Sequence, residues 1–208
     1  MPLRGRVAEA RGVFIHFSMI LGRNFRATYS ETRLKAVVPP TPAPGLLKRL
    51  ITHKTNPMLL DIIFLDIDGV LNPDKDHRPA IFAPDCVRHM KRILKECPQA
   101  HVVFSTTWRT GFTFFVLGWV WSQHGLPVQR VIGRTPDIQL DRRGEEIRKW
   151  LAEAPTRSRE HRVRRFVAID DEVAPLLEEI PREAVFVCDP YHGLTEAVAE
   201  GVIRYLNA

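Results

Sequence analysis

Apolar residues form short unbroken runs from residue 59 onward, and segments with apolar residues at every third or fourth position separate these runs. Unbroken runs are typical of strands buried on both faces of a parallel sheet, and the wider spacing is typical of amphipathic helices. The predicted strands are 59–66, 100–106, 128–133, 164–171 and 184–189, and the predicted helices are 83–97, 112–124, 143–154, 173–180 and 194–208. Their regular alternation predicts an α/β fold, a Rossmann-like parallel sheet of about five strands with helices on both faces.

The most apolar segment, "FTFFVLGWVW" at 112–121, has no polar face in its middle. It is about half as long as the ~20 residues that a membrane-spanning helix needs, so we expect no membrane partner. Two interpretations are open, a buried helix or an apolar patch for a partner or a second copy. The sequence does not indicate an oligomeric state.

Charge divides the chain into two regions. Residues 1–57 contain ten Lys/Arg against two Asp/Glu (+8), and residues 58–208 contain twenty against twenty-two (−2). With the Pro-rich stretch "VVPPTPAPG" at 37–45, this predicts a basic, poorly ordered extension at 1–57 and one domain at 58–208. Three interpretations of the extension are open. It is a poorly packed segment, which includes the case of a start codon assigned upstream of Met58, or a targeting peptide, or a basic arm that binds nucleic acid or a membrane surface.

The three cysteines, Cys86, Cys97 and Cys188, form no CxxC pair. An odd number without such spacing indicates neither a disulfide framework nor a zinc site. Free cysteines are typical of a reducing compartment, so we expect a cytoplasmic protein.

Carboxylates and hydroxyls follow three of the predicted strands. They are Asp66 and Asp68 after the first strand, Ser105 and Thr106 after the second, and Asp170 and Asp171 at the end of the fourth. In a parallel sheet these ends share one edge, where ligands bind. Two like charges about 4 Å apart cost about 4 kcal/mol at an effective dielectric constant near 20. Such acids persist when one is protonated or when a cation lies among them, and hard oxygen ligands favour Mg²⁺ beside a phosphate group.

The short stretch Asp66-Ile67-Asp68-Gly69 also fits a simple turn after a strand, since Asp and Gly favour turns. The hydroxyls and the second acid pair, in this chain order, favour a functional site.

With these motifs, the chain resembles the haloacid dehalogenase-like (HAD) hydrolase superfamily. "FLDIDGVLN" is similar to its first motif, "VVFSTTW" to its second and "FVAIDDE" to its fourth. A closer resemblance is to the HAD domain of Swiss Army knife RNA-repair-like proteins. It rests on "STTWR" at 105–109, "IGRTP" at 132–136, "RGEEIRKWL" at 143–151 and "CDPYHGLT" at 188–195.

The resemblance implies roles for the strand-end residues. Asp66 matches the nucleophile, which forms an aspartyl-phosphate. Asp68 matches the general acid and base, and its backbone carbonyl matches a metal ligand. Ser105, with Thr106 beside it, matches the phosphate-binding hydroxyl. The metal ligands expected are Asp66, Asp68, Asp170 and Asp171.

A basic residue that neutralises the phosphoryl group is also implied. Arg143, at a predicted helix start, is our candidate, and Arg142 and Arg134 are rivals. Arg109 is expected either to bind phosphate or to pair with an acid at the site. Trp108 is expected either in the core or stacked on a base.

Only 36 residues separate Asp68 from Ser105, and 37 separate Ser105 from Arg143. Predicted core elements occupy both stretches, so we expect no cap domain and an open site. The function expected is a Mg²⁺-dependent phosphomonoester hydrolase for nucleic-acid ends or another bulky phosphate ester. The alternatives are a phosphatase for small molecules or nucleotides, and a non-catalytic binding or regulatory module with this fold.

Overall fold

The computed structural model describes residues 58–74, 81–138, 142–157 and 161–208, without the side chains of 155–157 and 161. The predicted extension at 1–57 lies outside the described residues. Its boundary and its three interpretations therefore stay predictions.

Within the described residues, five strands form one sheet in the order β3-β2-β1-β4-β5, and every neighbouring pair is parallel. The strands are β1 (Met58–Leu65), β2 (Ala100–Phe104), β3 (Val131–Arg134), β4 (His161–Asp170) and β5 (Val185–Val187). The predicted α/β fold with a parallel sheet is confirmed. The strand order also places β1 between β2 and β4, so the three strands followed by polar residues are neighbours.

The described helices longer than three residues connect these strands, except the last, which follows β5. They are α1 (Pro84–Glu96), α2 (Trp108–Gly111), α3 (Phe114–Gln123), α4 (Arg143–Arg157), α5 (Ala174–Leu177) and α6 (Glu196–Asn207). Consecutive β1 residues Ile62, Ile63, Phe64 and Leu65 are each at most 1% exposed. Because successive side chains in a strand point to opposite faces, both faces of the sheet are covered.

One core cluster shows how helices cover a face of the sheet. Phe64 of β1 packs edge to face on Trp150 of α4, with ring centroids 5.4 Å apart. Leu60, Ile62, Ile147 and Leu176 belong to the same buried cluster. This packing fixes α4 against the sheet and places its first residue, Arg143, near the sheet's carboxyl edge.

No helix in the described part of the chain is long and apolar enough to cross a membrane.

Some boundaries differ from the predictions. The segment predicted as a strand at 128–133 begins as a 3-10 turn, Val128–Arg130, and β3 follows it. Val128 is 51% exposed, so its side chain is not packed in the core as the side chain of a buried strand would be. The short helix α2 was not predicted, because four residues show no helical periodicity.

Helix α3 agrees with the first interpretation of the apolar run, a buried helix, along one side, and the second, a patch for a partner, stays a prediction. Leu117, Val120 and Trp121 are buried, whereas Phe115 is 77% exposed. Thr113 caps the helix, since its side chain accepts a hydrogen bond from the Val116 N–H at 3.3 Å. The helix therefore has one buried side and an exposed aromatic residue at its start.

A β-bulge explains the acidic residue inside the apolar strand β1. The pairing of β1 with β4 shifts between Leu60 and Asp61 and leaves Arg164 as the extra residue. Arg164 donates to both carboxylate oxygens of the buried Asp61, at 2.9 and 2.6 Å. The buried carboxylate is thus compensated by a bidentate partner.

Candidate active site

Three predicted acids meet at the carboxyl edge of the sheet. Asp66 directly follows β1, and its backbone N–H bonds to the carbonyl of Ile169 in β4 at 3.0 Å. Asp170 ends β4 and Asp171 comes next. One carboxylate oxygen from each of Asp66, Asp170 and Asp171 lies within 4.8 Å of the others. Adjacent parallel strands that end together produce this cluster, which we call the acid trio.

Arg143, the first residue of α4, contacts two members of the acid trio. Its Nη1 donates to Asp66 Oδ2 and, at 2.5 Å, to Asp170 Oδ2. Its two rivals lie elsewhere among the described residues. Arg142 pairs with Glu145, and Arg134 donates to the backbone carbonyls of Arg109 and Phe112. Of the three candidate bases, the described contacts bring Arg143 to the acids.

Burial is the largest cause that raises the pKa of each member of the acid trio. It raises the pKa of Asp66, against the opposing effect of the Arg143 guanidinium. Burial, with the charge of Asp66 as the next cause, raises the pKa of Asp170 to about 7 and that of Asp171 to about 6. Burial of Arg143 works against its charge, but the carboxylates of Asp66 and Asp170 outweigh this effect and raise its pKa. Among the described residues, Arg143 is the guanidinium bonded to the acid trio, and it contacts two of the three members.

Asp68 lies beside the acid trio and makes different contacts. Its Oδ1 accepts a hydrogen bond from Asn72 Nδ2 at 3.1 Å, and its Oδ2 accepts one from Trp108 Nε1 at 2.7 Å. The predicted metal contact of Asp68 is its backbone carbonyl, and this stays a prediction. Both contacts were missed from the sequence, because they join side chains whose packing a residue pattern does not specify.

Gly69 allows the chain to turn directly after Asp66 and Asp68. Its φ is +68°, and a Cβ atom there would lie 2.4 Å from Asp171 Cγ. Any other residue would strain the backbone and collide with that carboxyl group. Gly69 therefore permits the close approach of the β1 loop to the β4 loop.

The two hydroxyls predicted to bind phosphate follow β2. The backbone N–H of Ser105 bonds to the carbonyl of Leu65 at 2.8 Å, which holds the β2 end beside the β1 end. The Thr106 side chain lies beside Asp66, where it acts to lower the pKa of that carboxyl group against the effect of burial. Ser105 Oγ is buried and has no hydrogen-bond partner among the described residues. A buried hydroxyl is rarely left unpaired, so this atom fits a ligand at the site.

Arg109 is paired with an acid that the sequence interpretation did not single out. It donates to Glu146 Oε1 and, at 2.7 Å, to the carbonyl of Thr106. The Arg109 side chain is 7% exposed and that of Glu146 is 1% exposed. Of the two roles considered for Arg109, the described contacts correspond to pairing with an acid. Glu146 shares a helix face with the apolar residues Ile147 and Trp150. A charged residue on an apolar helix face is the sequence signal that could have identified it as buried and paired.

The residues at this edge fit a Mg²⁺ ion. The acid trio offers hard oxygen ligands within reach of one another. A divalent cation among them would favour their charged forms, against the burial that raises all three pKa values and the repulsion by Asp66 that adds to it at Asp170 and Asp171. The unpaired Ser105 hydroxyl lies on the neighbouring strand end, where a bound phosphate could accept its hydrogen bond.

The comparison with known families gives one match. The model described as "HAD domain in Swiss Army Knife RNA repair proteins" matches residues 62–199. No curated protein and no solved structure matches the chain significantly. The match extends from β1 through the start of α6, so it includes every residue of the site described above.

Proposed function

This chain belongs to the family of HAD domains in Swiss Army Knife RNA repair proteins, and on that premise we propose that it is a Mg²⁺-dependent phosphomonoester hydrolase. The observation that supports this most directly is the acid trio, with Arg143 bonded to two of its members. A structural cluster would gain little from two buried carboxyl groups and a half-buried third around one guanidinium, since unpaired buried charge is costly.

In the proposed reaction, Asp66 is the nucleophile. One of its carboxylate oxygens bonds to phosphorus while the ester oxygen leaves with the electrons of the broken P–O bond. The Asp68 carboxyl group gives the leaving oxygen its proton. The products of this half-reaction are an alcohol and an aspartyl-phosphate at Asp66.

Water completes the reaction. The Asp68 carboxylate accepts a proton from a water molecule as that water attacks phosphorus. The P–O bond to Asp66 breaks, inorganic phosphate leaves, and both carboxyl groups return to their starting state. Asp68 acts in both halves because the proton it gives in the first is recovered in the second.

Other residues of the chain hold the phosphoryl group. Arg143 bonds to Asp66, so its guanidinium lies where charge develops on the phosphoryl oxygens. The Ser105 hydroxyl supplies a further donor. Mg²⁺, when held by the acid trio and the Asp68 carbonyl, supplies positive charge that lowers the repulsion between the phosphate and Asp66.

For the substrate, we propose a nucleic-acid end or another bulky phosphate ester. The described residues between Asp68 and Ser105, and between Ser105 and Arg143, belong to core elements such as α1, α3 and β3. This supports an open site without a cap. The family name refers to RNA repair, which favours polynucleotide ends by analogy. Small phosphate esters are the alternative.

A phosphate-ester panel with the full chain tests the proposal. It contains p-nitrophenyl phosphate, nucleotides, sugar phosphates, and oligonucleotides with a 3′- or a 5′-phosphate. We expect phosphate release that requires Mg²⁺ and stops with EDTA, with the highest kcat/KM on an oligonucleotide. Higher kcat/KM on a small ester would identify a small-molecule phosphatase. No release from any ester by the folded protein would favour the non-catalytic module.

A further inference from the structure

Trp108 is bonded to the acid that the proposed reaction uses for proton transfer. Its Nε1 donates to Asp68 Oδ2 at 2.7 Å, and Asn72 Nδ2 donates to the other oxygen, Oδ1, at 3.1 Å. Two donors on opposite oxygens define the plane of the carboxyl group. Each oxygen has a second acceptor position, which leaves room for the proton that Asp68 exchanges.

The orientation of Trp108 is itself determined by packing. Its ring lies against Phe82 and Phe112, with centroid distances of 6.5 and 5.6 Å. Its backbone N–H bonds to Thr106 Oγ1 at 3.3 Å, and its carbonyl accepts from the Phe112 N–H at 2.8 Å. Both the main chain and the ring of Trp108 are therefore held, and the indole N–H has little freedom to follow a moving carboxylate.

We infer that Trp108 is a positioning residue for proton transfer, one that acts through Asp68 by aiming its carboxyl group at the leaving oxygen of the substrate. This inference rests on the proposed function. It differs from the two earlier interpretations of Trp108, because the residue uses its N–H edge at the site and its ring faces for packing. Trp108 contacts neither the acid trio nor Arg143 in the described hydrogen bonds, so its effect should be confined to steps that need Asp68.

The dependence of the rate on the leaving group isolates that step. p-Nitrophenolate leaves readily without a proton, whereas the phenolate of phenyl phosphate leaves slowly unless it is protonated. The value of kcat/KM reports only the steps up to the first irreversible one, here loss of the alcohol or phenol. A residue that positions the general acid should therefore affect kcat/KM for phenyl phosphate and have little effect on that for p-nitrophenyl phosphate.

The main variant is Trp108→Phe, which removes the N–H and keeps an aromatic ring. We expect kcat/KM for phenyl phosphate to fall about tenfold or more, with kcat/KM for p-nitrophenyl phosphate within about twofold of wild type. Asn72→Leu removes the other donor to Asp68, and we expect the same selectivity from it. This second variant keeps the inference testable if Trp108→Phe does not fold.

Two controls separate positioning from structure. Trp121→Phe removes a different indole hydrogen bond, from Nε1 to the carbonyl of Pro127 at 3.1 Å, and should lower stability without leaving-group selectivity. In an Asp68→Asn background, adding Trp108→Phe should cause no further loss with phenyl phosphate, because the two residues act as one unit.

The outcomes distinguish this inference from the proposed function. If wild type hydrolyses both esters and the Trp108→Phe variant loses kcat/KM equally on both, the positioning role is overturned and the proposed function stands. An equal rise in KM for both esters would instead identify Trp108 as a substrate-binding residue. If wild type hydrolyses neither ester nor any member of the substrate panel, the proposed function fails, and the inference fails with it.

Discussion

Arg143 donates from Nη1 to Asp170 Oδ2 at 2.5 Å, which joins the first residue of α4 to the last residue of β4. The same nitrogen contacts Asp66. A helix start thus brings the guanidinium into a group of acids contributed by two strands. This arrangement gives the site its charge balance and is the basis of the predictions below.

Replacing Arg143 with Met should remove most activity. The acid trio would lose the guanidinium that bonds to Asp66 and Asp170, and the phosphoryl oxygens would lose a positive charge where negative charge develops. We expect kcat/KM for p-nitrophenyl phosphate to fall roughly 100-fold or more. Arg142→Met is the matched control, since its neighbour Arg142 is exposed and pairs with Glu145. A similar loss in both variants would rule out a specific role for Arg143.

Without metal, the protein should become less stable as the pH rises. The pKa values of Asp170 and Asp171 are about 7 and about 6 in the folded state, against a usual value of 3.8. The folded state therefore binds more protons than the unfolded state between about pH 4 and 7, and the free energy of unfolding falls through this range. Thermal unfolding in EDTA should show a lower Tm at pH 8 than at pH 5.

Mg²⁺ should reverse this loss, because it binds the deprotonated acids of the folded state. The rise in Tm on adding Mg²⁺ should be larger at pH 8 than at pH 5. Asp170→Asn serves as the control, since it removes one of the two titrating groups and a predicted ligand. An identical pH dependence in this variant and wild type would show that Asp170 does not titrate as described.

The Arg109–Glu146 pair should support both stability and the position of Arg143. Glu146 lies one helical turn after Arg143, and both members of the pair are nearly fully buried. Arg109→Met should leave the buried Glu146 with the Ile138 N–H but without its positively charged partner, and lower the free energy of unfolding by about 3 kcal/mol. Urea unfolding measures this. The double variant Arg109→Met/Glu146→Leu should be more stable than the single one, and further loss in the double variant would contradict this account.

The Asp61–Arg164 pair offers a test of stability away from the site. Arg164→Met would leave the buried Asp61 carboxylate without its bidentate donor, and we expect unfolding to become easier by about 2 kcal/mol. Hydrolysis at a temperature well below Tm should be unchanged. Arg162→Met, at an exposed position of β4, is the control and should alter neither quantity. Equal destabilisation by both variants would show that the Asp61 contact contributes little.

The sequence predicted the strands well because a strand covered on both faces requires an unbroken apolar run. Once β1, β2 and β4 were recognised as parallel, the shared edge placed Asp66, Ser105 and Asp170 near one another. The structure agrees in position, with β1 between β2 and β4. The catalytic roles of these residues stay predictions.

Contacts between distant side chains could not be derived in this way. The Trp108–Asp68 and Arg109–Glu146 bonds join residues 40 and 37 positions apart. Each depends on the rotation of a helix or on ring packing, which the apolar pattern does not specify. The same applies to the choice between Arg142 and Arg143, because a shift of one residue along a helix turns a side chain by about 100°. The third candidate, Arg134, lies in β3, away from this helix.

The central claim, that Asp66 is the nucleophile, is tested most directly by looking for its phosphorylated form. The full chain and its Asp66→Asn variant are mixed with a phosphate ester and Mg²⁺, quenched in acid within milliseconds to seconds, and analysed by peptide mass spectrometry. We predict an added phosphoryl group on the peptide containing Asp66 in wild type, none in Asp66→Asn, and less than one tenth of wild-type turnover in that variant. Turnover by Asp66→Asn above one tenth of wild type, or a phosphoryl group on another residue, would contradict the account.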